Sequence, residues 1–167
     1  MACSQTLSGI TLDCQSSMGG IKKVWLTTHV DGAAQLGADG IITGFTGVTT
    51  WYEYNFRKNT GSMTSTLNVD AANGVNYVST ELALVFTKMD TPKRIEMSAL
   101  VLADAMAVVE DANGKRWFLG FDEPINATAA TGESGTAKAD GNRYTITLTD
   151  ESRTFPYEVS ASVDLGE

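Results

Sequence analysis

The sequence predicts a mainly β fold, a β-sandwich or half-open barrel with one flanking helix. Three observations carry that expectation. Short runs of β-branched and aromatic residues alternate with polar ones along most of the chain, which is the period of a half-buried strand. Sixteen glycines stand against three prolines in 167 residues, and the Asn-Gly pairs fall between apolar runs, as tight turns require. Only one stretch combines a cap, an early proline and a helical apolar period.

In chain order, residues 1–17 read as an N-terminal arm and residues 18–167 as a single β domain. "GGIKKVWLTT" (19–28) is the first strand, "GADGIITGFTG" (37–47) a short strand punctuated by glycine, and "TTWYEYNFRKN" (49–59) a third, with Trp51, Tyr52, Tyr54 and Phe56 among polar partners. Residues 62–88 form a long hairpin turning at Asn73-Gly74, both expected at positive φ; its polar tip should be half exposed and its base, "LALVF", buried on both faces. Residues 91–105 are the helix, capped by Asp90 or Thr91, with Pro92 in the first turn and Ile95, Ala99 and Leu102 as its buried stripe. "AMAVVEDANGKRWFLGF" (105–121) is a second hairpin, turning at Asn113-Gly114 and gathering Val108, Val109, Trp117 and Leu119. A Gly-rich loop (131–142) leads to a closing hairpin over 143–162, with alternation at Tyr144, Ile146 and Leu148.

The formal charge of −8 is uneven: residues 104–167 hold five basic and twelve acidic groups, against seven and eight before them. Nucleic-acid binders neutralise phosphates with clustered Lys and Arg, so this surface should repel DNA. Cys3 and Cys14 are too few for a zinc site; a disulfide between them and two reduced thiols both stay open. The polar opening lacks a signal-peptide pattern and no run approaches the length of a membrane span, which gives the expectation of a product made in the cytoplasm with no membrane partner.

Chemistry is sparse. His29 is the only imidazole around which a Ser-His-Asp or Cys-His site could be built. "FDEP" (121–124) and "DESR" (150–153) place paired carboxylates, but neither supplies the regular oxygen spacing of a calcium loop, and both read as turn acids on a solvated edge. "GESGTAKADG" lacks the Gly-Lys-Ser/Thr ending of a phosphate loop, and Asn126-Ala127-Thr128 matches a glycosylation triplet only by chance. Without basic partners, Trp25, Trp51, Trp117, Tyr52 and Tyr54 read as packing residues rather than base-stacking ones. No cofactor, catalytic group or metal ligand is expected.

The segments "MGGIKKVWL", "WYEYNFRKNTGSMTSTLNVDAANGVNYVSTELALVF", "NGKRWFLGF" and "GTAKADGNRYTITLTDES" resemble tail tube proteins of tailed bacteriophages and of prophages of gut anaerobes, over residues 18–160. Turn chemistry and strand patterning in a particular order carry the likeness. The resemblance implies a non-enzymatic virion protein, assembled in the bacterial host cytoplasm, that forms six-membered rings stacked into a tube. The partners implied are other copies, the tape measure, terminator and baseplate or tip proteins, and double-stranded DNA that passes without specific binding. Met63, Leu67, Val69, Asn73, Gly74, Val75 and Tyr77 of the long hairpin are then the expected contacts between subunits or rings. Asp111, Asp122, Glu123, Glu133, Asp140, Asp150 and Glu151 are the expected acids of the lumen. Two other classes remain: another phage part (tail terminator, head-tail connector or capsid decoration protein), and an enzyme or carbohydrate-binding module.

Overall fold

A computed structural model describes residues 6–166, and the fold is mainly β with one helix. The elements are β1 (Ile21–Thr28), β2 (Ala34–Leu36), β3 (Ile42–Phe45), β4 (Tyr52–Tyr54), β5 (Ser62–Asp70), β6 (Val75–Thr87), α1 (Thr91–Leu102), β7 (Ala105–Asp111), β8 (Arg116–Leu119), β9 (Asn126–Glu133), β10 (Arg143–Ser152) and β11 (Tyr157–Val159). Two sheets result, one of seven strands in the order β2-β3-β11-β8-β7-β1-β4 and one of four in the order β5-β6-β10-β9.

The main core lies between the sheets. Val24, Leu26, Ala107, Val109 and Leu119 of the larger sheet meet Leu82, Leu84, Ile146 and Leu148 of the smaller one. A second cluster of Trp25, Ile42, Met106, Val108, Phe118 and Leu165 covers the opposite face of the larger sheet. That double burial explains why β7 is apolar throughout: Ala105–Glu110 are all buried, the pattern of a central strand packed on both sides.

Several expectations are corrected. "LALVF" is buried on one face only, through Leu82, Leu84 and Phe86, whereas Ala83 and Val85 point to the half-exposed outer face. An unbroken apolar run and a one-faced strand look alike when the outward residues are an alanine and a valine. The presumed closing hairpin is split, since β10 pairs with β6 and β9 while β11 crosses to the other sheet between β3 and β8. Residues 131–133 belong to β9 rather than to the Gly-rich loop, and "DES" continues β10 instead of forming a turn. The strand expected over 49–59 is only three residues, and β2 is a further three-residue strand without a β pattern in its sequence. In the two Asn-Gly turns only Gly74 (φ 65°) and Gly114 (φ 81°) adopt positive φ. At the first, the Asp70 carboxylate instead accepts from the backbone N–H groups of Ala72 and Asn73.

The helix is shifted in phase and ends earlier than expected. Asp90 caps it, accepting from Lys93 N at 3.0 Å, and it stops at Leu102 because Ala103 (ψ 138°) is already extended on the way into β7. Met97 and Leu100 are its buried residues; Ile95 and Leu102 are 56% and 88% exposed. Two apolar stripes share this helix, about 180° apart, and periodicity alone cannot choose between them.

Candidate functional site

The four-stranded sheet is the most distinctive surface, and its register determines what that surface carries. Because side chains alternate, the residues between the buried Leu82, Leu84, Ile146 and Leu148 all point outward. Cross-strand rows therefore read Thr64, Glu81, Thr149; then Ser62, Ala83, Thr147, Ala129; then Val85, Thr145, Thr131. The outer face is a lattice of hydroxyl groups, tightened by a Thr128–Thr149 hydrogen bond of 3.0 Å and by the Arg143–Glu133 pair at one end. The alternation of "TITLT" was visible beforehand; its alignment with "SMTST" across β6 was not.

Among the described residues neither edge of this sheet is paired to a further strand: β5 pairs with β6 alone and β9 with β10 alone, with α1 packed beside β9. Neither "SMTSTLNVD" nor "NATAATGE" contains the Lys or Pro that commonly blunts an edge, although β9 carries one bulge near its start. The larger sheet ends instead in two strands of three residues, β2 and β4.

The residues expected at contacts between subunits or rings differ in exposure along the β5–β6 hairpin. Leu67 (50% exposed), Val69, Val75 and Tyr77 are exposed on its two faces, with Asn73 and Gly74 in the exposed turn. Met63 differs, since it is half buried and packs against the core of its own domain, facing inward opposite Leu82.

The seven expected lumen acids scatter. Glu133 and Glu151 stand on the outer face, joined there by Glu81 of β6, which lies outside the acid-rich C-terminal third. Asp122, Glu123 and Glu151 gather with Tyr77 and Arg153 around a shallow cleft at the hairpin's root. Asp111 is occupied in its own turn, accepting from Asn113 N at 2.8 Å and from Trp117 Nε1 at 3.1 Å. Asp140 closes the 134–142 loop by accepting from Thr136 N and Ala137 N, bonds that hold its carboxyl below the usual range. Asp150 cannot face a bore, being 2% exposed on the inner face. It ties the two sheets together by accepting from Gly120 N at 3.1 Å and from Ser152 Oγ at 3.1 Å, and burial pushes its carboxyl above the usual range.

Little else is chemically poised. The His29 ring meets the Gly120 carbonyl at 3.2 Å and the exposed Asp31 carboxylate at 3.4 Å, so it bridges the ends of β1 and β8. Among the described residues no group of three His, Cys, Asp or Glu side chains could hold a metal ion. Cys14 is an exposed free thiol, and Cys3 lies outside the described residues. Trp25 is a core residue and Tyr52 is 61% exposed. No helix among the described residues is long and apolar enough to cross a membrane.

No family model, curated protein or solved structure matches this chain.

Proposed function

We propose that this chain is a structural subunit of a bacteriophage virion, a tail-tube-type protein that assembles into stacked six-membered rings through which DNA passes without being gripped. The observation that carries the reading is the four-stranded sheet with two long edge strands, an apolar inner face and a hydroxyl-rich outer face. A β5 edge laid against the β9 edge of the next copy satisfies both rows of unpaired backbone groups, which would otherwise template aggregation. Closing six such sheets gives 24 strands, and at ~4.8 Å per strand the wall is about 37 Å across before tilt, room for a double helix once it is lined with side chains of threonine size.

Threonine suits that lining. Its hydroxyl is neutral and hydrated, and the charged groups on the face, Glu81, Glu133, Glu151 and Arg143, leave it acidic rather than basic. A wall of this kind gives phosphates no counterion-release affinity. The exposed apolar hairpin end is the natural contact between neighbouring rings.

Negative-stain microscopy of the purified full chain over a concentration series tests the reading. Stacked tubes are the expected result. Single rings without stacking would favour a terminator or connector part, and a monomer at every concentration would refute self-assembly.

A further inference from the structure

The N-terminal arm carries apolar side chains that its own domain does not use. Residues 6–17 belong to no helix or strand, and Leu7, Ile10 and Leu12 are 94%, 101% and 97% exposed. The base of the arm is nevertheless fixed. The Asn113 side chain accepts from Met18 N at 2.9 Å and donates to the Met18 carbonyl at 3.1 Å, while Ala112 N donates to the Gly20 carbonyl at 3.0 Å. Beyond this clamp come a polar spacer, residues 13–17, and then the apolar segment, residues 7–12.

The same chain also has an open apolar cleft. It lies between β4 and α1, has a volume of 380 Å³, and adjoins a smaller one of 140 Å³ that reaches Ala99 and Ala103. Four consecutive residues, 52–55, line its wall. Alternating side chains cannot all face one way, so β4 presents its backbone edge to the cleft, and among the described residues that edge is unpaired because β4 bonds to β1 alone. On the helix side Lys93, Glu96 and Met97 line the larger cleft, and the exposed Ala99, with Leu100 and Ala103, carries the apolar wall on into the smaller one.

We infer that the arm of one copy docks in the β4–α1 cleft of a second copy, running along β4 as an added strand. The inference rests on the self-assembly reading above. Ile10 and Leu12, two residues apart, fall on one face of an extended segment, the spacing a strand needs to seat apolar side chains in a cleft. Residues 7–12 extend ~20 Å, against ~18 Å for the helix of twelve residues that forms the other wall. The five-residue spacer spans up to ~17 Å, enough to leave the clamp and reach a neighbour. Each copy then gives one arm and receives one, a head-to-tail contact that can close a ring or run along a tube.

Native mass spectrometry on full-length chains tests this with two surface variants, Ile10→Asp with Leu12→Asp in the arm, and Ala99→Glu with Tyr52→Glu at the cleft. All four positions are exposed, so both variants should keep the wild-type circular dichroism and melting curve. Each alone is expected to self-associate at least tenfold more weakly than the wild type. An equimolar mixture should give heterodimers, because one intact arm meets one intact cleft. If the wild type assembles and either variant assembles equally well, or the mixture yields no heterodimer, the docking is overturned while the self-assembly reading stands. A wild type that stays monomeric at every concentration overturns both.

Discussion

Replacing Leu100 and Leu102 in turn by alanine separates the two apolar stripes of α1 by energy. Leu100 is 6% exposed and packs in the main core with Met97, whereas Leu102 is 88% exposed. A buried leucine truncated to alanine costs ~2–5 kcal/mol, the spread reflecting how far the site can collapse. Leu100 also lines the 140 Å³ cleft beside Ala103 and Ala105, so water and neighbouring side chains can enter part of the space vacated. That places the expected loss in the lower half of the range, about 2.5–3.5 kcal/mol. For a chain of this size each kcal/mol shifts Tm by ~2–4 °C, so Leu100→Ala should melt about 6–12 °C lower.

Leu102→Ala should fall within ~0.5 kcal/mol of the wild type, a change too small to move Tm by more than about 2 °C. Thermal melts followed by circular dichroism at a fixed, low protein concentration provide the comparison, since assembly would otherwise contribute to apparent stability. A Tm loss for Leu102→Ala as large as that for Leu100→Ala would refute the helix phase.

Three further outcomes are expected. Shortening residues 68–76 to a two-residue turn should leave a folded subunit that no longer forms tubes, because the exposed Val69 and Val75 are lost while the inward Met63 is kept; normal tubes in the microscope would count against the hairpin as a ring contact. Asp150→Asn should stabilise the protein at neutral pH. The folded chain binds the Asp150 proton more tightly than the unfolded one, so stability falls as pH rises from the ordinary aspartate range through the raised value; the asparagine gain should vanish in acid, and denaturant melts showing a loss at neutral pH would contradict this. Neither subunit nor tube should bind duplex DNA at physiological salt, and micromolar affinity in a fluorescence anisotropy titration would defeat the acidic-bore reading.

What could be read beforehand follows from where the physical signal resides. Strands β1, β6, β7 and β10 combine β-branched residues with a clear burial pattern, and their existence was legible. β9 was not, because "NATAATGE" is alanine- and glycine-rich and gains its strand character from pairing with β10, a tertiary effect. The split of β10 from β11 was equally hidden, since adjacent strands joined by a short turn look the same whether they pair or cross to another sheet. For the candidate surface, the exposed residues of the hairpin tip were legible from their polar, turn-rich setting. The fate of each acid was not, because Glu151 and Asp150 are neighbours in sequence and differ only in the face of β10 they occupy.

That difference changes where charge should matter in assembly. Asp150 is internal and Asp111 and Asp140 stand apart in their own turns, so the concentrated exposed acidity is the Asp122, Glu123 and Glu151 group at the root of the β5–β6 hairpin, with Arg153 beside them, its backbone N–H donating to Asp122 at 2.8 Å. If the hairpin reaches an adjacent ring, six such groups crowd the junction and oppose stacking. Their repulsion extends over a Debye length, ~30 Å at 0.01 M salt and ~8 Å at 0.15 M, so stacking should strengthen as salt rises through this range. Net charge alone would produce the same sign, and a matched pair of variants separates the two causes. Glu151→Gln should lengthen tubes at low salt and flatten the salt dependence, whereas Asp39→Asn, which removes the same charge from the exposed loop joining β2 and β3, should leave both near wild type. Tube lengths measured by light scattering across the salt series decide the matter. Equal effects from the two variants, or tubes that dissociate as salt is added, would show that the acids at the hairpin root do not face the ring junction.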